Sequence, residues 1–127
     1  MKNVIKSDMF IKNLMDCEEF TAGDGSLLRE LLHPDKADVA IRYSLAHAVV
    51  KPGQTTVLHM LKTSEVYYII VGDGIMHIND KSAKVHPGTV IYIPPHSGQY
   101  IQNSGKTDLI FLCIVDPAWR LEDEEII

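Results

Sequence analysis

The sequence predicts an all-β domain closed as a barrel or double-sheet jelly roll. From Arg42 onward, short runs rich in Val, Ile and Tyr succeed one another at spacings near the roughly 8–12 residues expected of such folds. Tight turn signals separate them, at Lys51-Pro52-Gly53, Gly72-Asp73-Gly74, His86-Pro87-Gly88 and Ser104-Gly105-Lys106. Antiparallel strands this short manage their exposed edges by closing on themselves.

The first forty residues are the least regular. FIKNLMDCEEF fits a short helix or an edge strand equally well. SLLRELL places apolar residues at 27, 28, 31 and 32, which is helical spacing, yet a strand after the Gly23-Asp24-Gly25 turn fits as well, and His33-Pro34-Asp35 ends it either way. The strand signals are then RYSLAHAVV, TTVLHML, EVYYIIV, IMHI, AKV, TVIYI, QYIQN and DLIFLCIV. Asp116-Pro117 breaks the last. The expected organisation is an N-terminal arm over residues 1–41, a barrel over 42–116 and a short tail over 117–127. In that tail Glu122-Asp123-Glu124-Glu125 reads as a solvated acidic face, and Trp119 as the residue packing the tail onto the barrel or onto a partner subunit.

Composition narrows the function. The 127 residues are 46% hydrophobic and 23% charged, the balance of a globular domain with a real core. No run approaches the roughly 20 apolar residues of a membrane span. MKNVIKSDMF holds no apolar block of signal-peptide length, so a cytoplasmic location is expected. The formal net charge of −5 argues against nucleic acid as a partner. Cys17 and Cys113 are too few for a disulfide framework, and Cys113, inside LIFLCIV, reads as a buried thiol.

Two long spaced patterns carry the chemistry. In GQTTVLHMLKTSEVYYIIVGDG, Gly53, His59, Glu65 and Gly72 follow G-x5-H-x5-E-x6-G. In GTVIYIPPHSGQYIQN, Gly88, Pro94, Gln99 and Asn103 follow G-x5-P-x4-Q-x3-N. The pair resembles the two motifs of the cupin superfamily, and the resemblance covers about residues 42–115. Together with FLCIVDPAWR, these segments look like a small single-domain cupin subgroup often labelled mannose-6-phosphate isomerase-like. The resemblance implies a cupin-type double-stranded β-helix and a divalent metal, Mn, Fe, Zn or Ni. His59 and Glu65 match ligand positions of the family, Leu61 stands at the place of a second His, Gln99 at the place of the motif-two His, and His96 at the place of a glycine.

Strand alternation gives this set its geometry. If His59 faces the barrel interior, Leu61 does too. Glu65, Tyr67 and Ile69 share one face, as do Gln99 and Ile101. His59, Glu65 and Gln99 therefore converge as a weak metal site completed by waters. Without metal, His59 and Glu65 pair with each other. A further ligand from His47, His77 or His96 stays open. Tyr67 and Tyr92 are candidates to present hydroxyls to the ligand, His96 is a candidate rim contact, and His33 and His86 read as surface residues before prolines.

Two functions follow. One is a metal-dependent isomerase or lyase on a small sugar- or keto-acid-like metabolite, with Glu65 as acid or base. The other is a metal-free binding or sensing module built on a degenerate metal site. The resemblance also implies a homodimer, which would give the apolar run FIKNLM a place to pack.

Overall fold

The computed structural model describes residues 9–127; residues 1–8, which hold the start of the expected arm and of the leader reading, lie outside them. Among the described residues, eleven strands form two antiparallel sheets. They are β1 (Glu19–Thr21), β2 (Leu27–Leu32), β3 (Ser44–Val50), β4 (His59–Leu61), β5 (Ser64–Val71), β6 (Gly74–Ile78), β7 (Lys81–Val85), β8 (Val90–Ile93), β9 (Gln99–Asn103), β10 (Leu109–Asp116) and β11 (Glu124–Ile126). The first sheet runs β1-β2-β3-β10-β5-β8 and the second β11-β4-β9-β6-β7. The jelly-roll expectation holds.

Both undecided segments resolve. Leu27–Leu32 is a strand, because its partner β3 supplies a ladder that a short helix could not replace. FIKNLMDCEEF splits into a 3-10 turn at Leu14–Asp16, whose first turn Asn13 caps, and the edge strand β1. The arm and tail are woven into the sheets: β1 and β2 extend the first and β11 the second.

The core lies between the sheets. Ile69, Ile101, Leu109 and Phe111 are fully enclosed, and the Tyr67 and Phe111 rings meet at 4.5 Å between centroids. Alternation on β3 sends Ala48 and Val50 inward with them. Gly72 of the first motif is there for space and backbone freedom: its φ is +88°, and a Cβ would lie 2.5 Å from the Asp108 carbonyl oxygen. Asn103 of the second motif is structural as well. Buried, it donates Nδ2 to the Val50 and Thr107 carbonyls at 2.9 and 2.8 Å and accepts the Gly105 N–H at 2.9 Å.

The tail is strapped across the first sheet. Ala118 N–H donates to the Arg42 carbonyl at 2.7 Å and Trp119 N–H to Ser44 Oγ at 2.9 Å. His33 corrects its surface reading. It is buried, Nδ1 accepts the Asp35 N–H at 3.1 Å, and Nε2–H therefore donates to the Trp119 carbonyl at 2.8 Å. Among the described residues, no helix is long and apolar enough to cross a membrane.

Candidate functional site

One end of the barrel encloses a cavity of about 170 Å³. β4 brings His59 and Leu61 to its wall, and β5 brings Glu65 and Tyr67, each pair two residues apart on one strand face. Leu28, Ala46 and Phe111 supply apolar wall. The loop after β1 contributes Asp24, and the tail contributes Trp119 and Glu124.

Hydrogen bonds set the orientation of each group. His59 Nδ1 lies 2.7 Å from the Val57 carbonyl, an acceptor, so Nδ1 carries the proton. Nε2 is left facing Asp24 Oδ2 at 3.9 Å. Asp24 Oδ1 is held by Ser26, accepting its N–H at 3.0 Å and its Oγ–H at 2.7 Å. Trp119 Nε1–H donates to Glu124 Oε1 at 3.0 Å. Tyr67 O–H donates to Gln99 Oε1 at 3.2 Å, and the Gln99 amide in turn bonds the Glu65 carboxyl.

Glu65 is the stressed member. It is buried, and its Oε1 has no hydrogen-bond partner. Burial lifts its pKa to about 8; the bond from Gln99 opposes that rise, and the charges of Asp24 and Glu124 add to it. Burial also raises the Tyr67 hydroxyl and the Cys113 thiol well above their ordinary ranges, with the Glu65 charge the next cause for each.

The structure places each candidate residue and corrects the expectations for Gln99, the His59–Glu65 pair, Tyr92 and His96. Gln99 sits behind the cavity wall with its carbonyl oxygen already accepting from Tyr67, so it positions Glu65 instead of joining His59 at a shared ligand. His59 faces Asp24 and bonds the Val57 carbonyl instead of pairing with Glu65. Tyr92 is 61% exposed on the outer face of β8, since alternation turns Ile91 and Ile93 inward. His96 is exposed on a turn with φ +63°, outside the cavity. His47 lies on the outer face of β3 across from Arg29, where burial first and the Arg29 charge second lower its pKa. His77 stacks on Tyr100 at 4.2 Å. None of these three histidines lines the cavity. Glu124 leaves the acidic solvated face to line it, and Trp119 is cavity wall as well as tail packing.

Asp24 and Glu124 are the site residues that sequence reasoning missed. Asp24 sits inside a Gly-Asp-Gly signal that reads as a turn, and Glu124 inside an acidic run. Chain periodicity carries no trace of either arrival, because a loop and a tail strand make them. The exposure of Tyr92, by contrast, was available from the alternation of TVIYI.

The family model for the cupin domain matches residues 46–115. The chain is a cupin. It is 43% identical over 105 residues to an uncharacterised protein of Methanocaldococcus jannaschii, covering 82% of this chain and 83% of that one. It is 33% identical over 90 residues to the oxalate-binding protein of Thermotoga maritima, covering 70% and 69%. It is 29% identical to the glucose-6-phosphate isomerase of Thermococcus onnurineus over 76% of this chain, and spans 49% of that enzyme. Among solved structures, a cupin 2 conserved barrel protein from Salinispora arenicola superposes with a TM-score of 0.76 at 18% identity, over 91% and 92% of the two chains.

The residues of this cupin do not fit the divalent metal that the resemblance implied. Such an ion needs several donors within about 2–2.6 Å of one point. Leu61 offers none and the Gln99 oxygen is committed to Tyr67. Among the described residues, no three His, Cys, Asp or Glu side chains are disposed to share an ion.

Proposed function

We propose that this cupin is a small-molecule binding module, holding one polar ligand in the cavity framed by Asp24, His59, Glu65 and Glu124. The observation that carries the reading is the unpartnered Oε1 of Glu65 at the wall of that cavity. A buried polar atom without a partner costs free energy that a ligand can recover. Cavities of about 150 Å³ take up molecules of benzene size, so about 170 Å³ suits a small metabolite. The oxalate-binding relative supports binding as a function of this kind of barrel.

The test pairs metal content with ligand capture. Protein purified without chelator is expected to hold no stoichiometric metal by plasma mass spectrometry, and to be stabilised by members of a metabolite set. Ala46→Phe, which fills the cavity, is expected to weaken that capture at least about tenfold. Near-stoichiometric metal, lost in both His59→Ala and Glu65→Ala, would overturn the metal-free reading. Turnover is a second reading, favoured by one observation: a carboxyl titrating at about 8 within a ligand cavity is suited to proton transfer near neutral pH. On that reading Glu65→Gln abolishes conversion of a bound ligand while leaving its affinity within about tenfold.

We also propose that the protein pairs with a second copy through the outer face of the first sheet. Leu112, Tyr68 and Val90 are adjacent in one cross-strand row, and Ile114, Val66 and Tyr92 in the next. Val90 is 66% exposed and Tyr68 47%. Contiguous apolar faces of this kind are rare on monomers. Sedimentation velocity at micromolar concentration is expected to give a dimer, and Tyr92→Glu with Val90→Lys a folded monomer. A wild-type monomer would end the proposal.

A further inference from the structure

Resting on the binding reading above, we propose that the cavity selects a small organic cation, an ammonium group on a compact apolar body, over dicarboxylates and phosphates.

The first ground is the count of free hydrogens. Tyr67 O–H already donates to Gln99, Trp119 Nε1–H to Glu124 Oε1, Ser26 Oγ–H to Asp24 Oδ1, and His59 Nδ1–H to the Val57 carbonyl. What remains toward the cavity is a set dominated by acceptors: Asp24 Oδ2, the Glu124 carboxylate and, in the neutral ring, His59 Nε2, while the Ser44 hydroxyl can donate or accept and the Glu65 carboxyl carries its proton below about pH 8 until a cation replaces it. A ligand rich in donors completes that set, and a ligand rich in acceptors does not.

The second ground is charge. Asp24, Glu65 and Glu124 share the wall, and among the described residues Lys36 is the lysine or arginine on the lining. Its Nζ is held by Glu30 Oε1 at 2.7 Å, out at the exposed rim. An oxalate or sugar phosphate would meet the Asp24 and Glu124 carboxylates with no lysine or arginine free to oppose them. An ammonium beside Oε1 instead compensates them and lets Glu65 release its proton. The Gly23 backbone abuts Glu124, where a Cβ would come within 2.7 Å of Oε2, so the loop that carries Asp24 also backs Glu124.

The third ground is the wall. Phe20, Tyr67, Phe111 and Trp119 line the same cavity. Aromatic faces attract ammonium groups and bury an alkyl or aryl body, whereas hydrated metal ions gain nothing from them.

Isothermal titration of the full chain tests this with butylammonium, benzylammonium and 1,4-diaminobutane, beside oxalate, glucose 6-phosphate, Mn²⁺ and Zn²⁺. At least one amine is expected to bind saturably, weakened about tenfold or more by Asp24→Asn and by Glu124→Gln and unchanged by the exposed Glu122→Gln. Circular dichroism of each variant separates lost binding from lost fold, and the neutral, isosteric Asp24→Asn and Glu124→Gln are chosen to keep the loop and tail folded. Binding of oxalate or glucose 6-phosphate that Ala46→Phe removes would overturn the cation class while the binding reading stands. Binding of Mn²⁺ or Zn²⁺ alone would overturn it too. If amines, anions and metals all fail to bind, both the class and the binding reading fall.

Discussion

Glu65→Gln is expected to raise stability at neutral and alkaline pH and to flatten its dependence on pH. In the folded chain the Glu65 carboxyl titrates at about 8, against an ordinary value of about 4.3 when unfolded. Below pH 4.3 both states hold the proton, and the favourable contribution of the neutral, buried carboxyl is fully present. Between there and pH 8 the unfolded chain binds fewer protons than the folded one, so stability falls as pH rises, by up to ~1.4 kcal/mol per pH unit. Above about pH 8 both states are ionised and the slope ends. Burial is the main cause; of the groups facing the carboxyl, the Gln99 amide lowers its pKa, the Asp24 and Glu124 charges raise it, and Tyr67 and Cys113, themselves pushed upward, stay neutral across the window. Glutamine keeps the shape and the contact with Gln99 and carries no charge. Urea midpoints of the two proteins from pH 5 to 8.5 check this, and parallel curves would contradict the burial argument.

Asn103→Ala is expected to destabilise the barrel by about 2–4 kcal/mol. The substitution leaves the Val50 and Thr107 carbonyls and the Gly105 N–H without the side chain that satisfies them. The Val50 carbonyl lies at a nearly dry position beside Asn103, which is 2% exposed, while the Thr107 carbonyl and Gly105 N–H are partly buried. The loss joins two places far apart in the chain, the end of β3 and the loop before β10, so it affects the closure of the first sheet more than a local turn. Gln102→Ala, one residue away on the half-buried face of the same strand, is expected to stay within about 0.5 kcal/mol. Denaturant midpoints decide it, with amide exchange of Gly105 as the local readout; equal midpoints for the two variants would sink the structural role given to Asn103.

The strands from 44 to 116 were legible because each is a short β-prone run closed by a turn whose chemistry is local. The inward faces of β4, β5 and β9 were legible for the same reason: a period of two puts His59 with Leu61, Glu65 with Tyr67, and Gln99 with Ile101. Leu27–Leu32 was not, because six residues with apolar positions at both spacings have no local preference, and only the ladder to β3 decides. His33 before proline looked like a surface residue until the tail folded over it and the Trp119 carbonyl claimed its proton. Gln99 looked like a ligand because its position in the motif belongs to one; Tyr67, thirty-two residues earlier in the chain, takes its oxygen.

By itself, then, the sequence determined the fold class, the family and the presence of His59 and Glu65 on inward strand faces, since these depend on alternation, turn chemistry and spacing along one chain. Only the tertiary structure decided what surrounds them. Asp24 arrives on a loop near one end and Glu124 on a strand near the other, and the electrostatics of a buried carboxyl depend on charges within a few ångströms in space, whatever their distance in sequence.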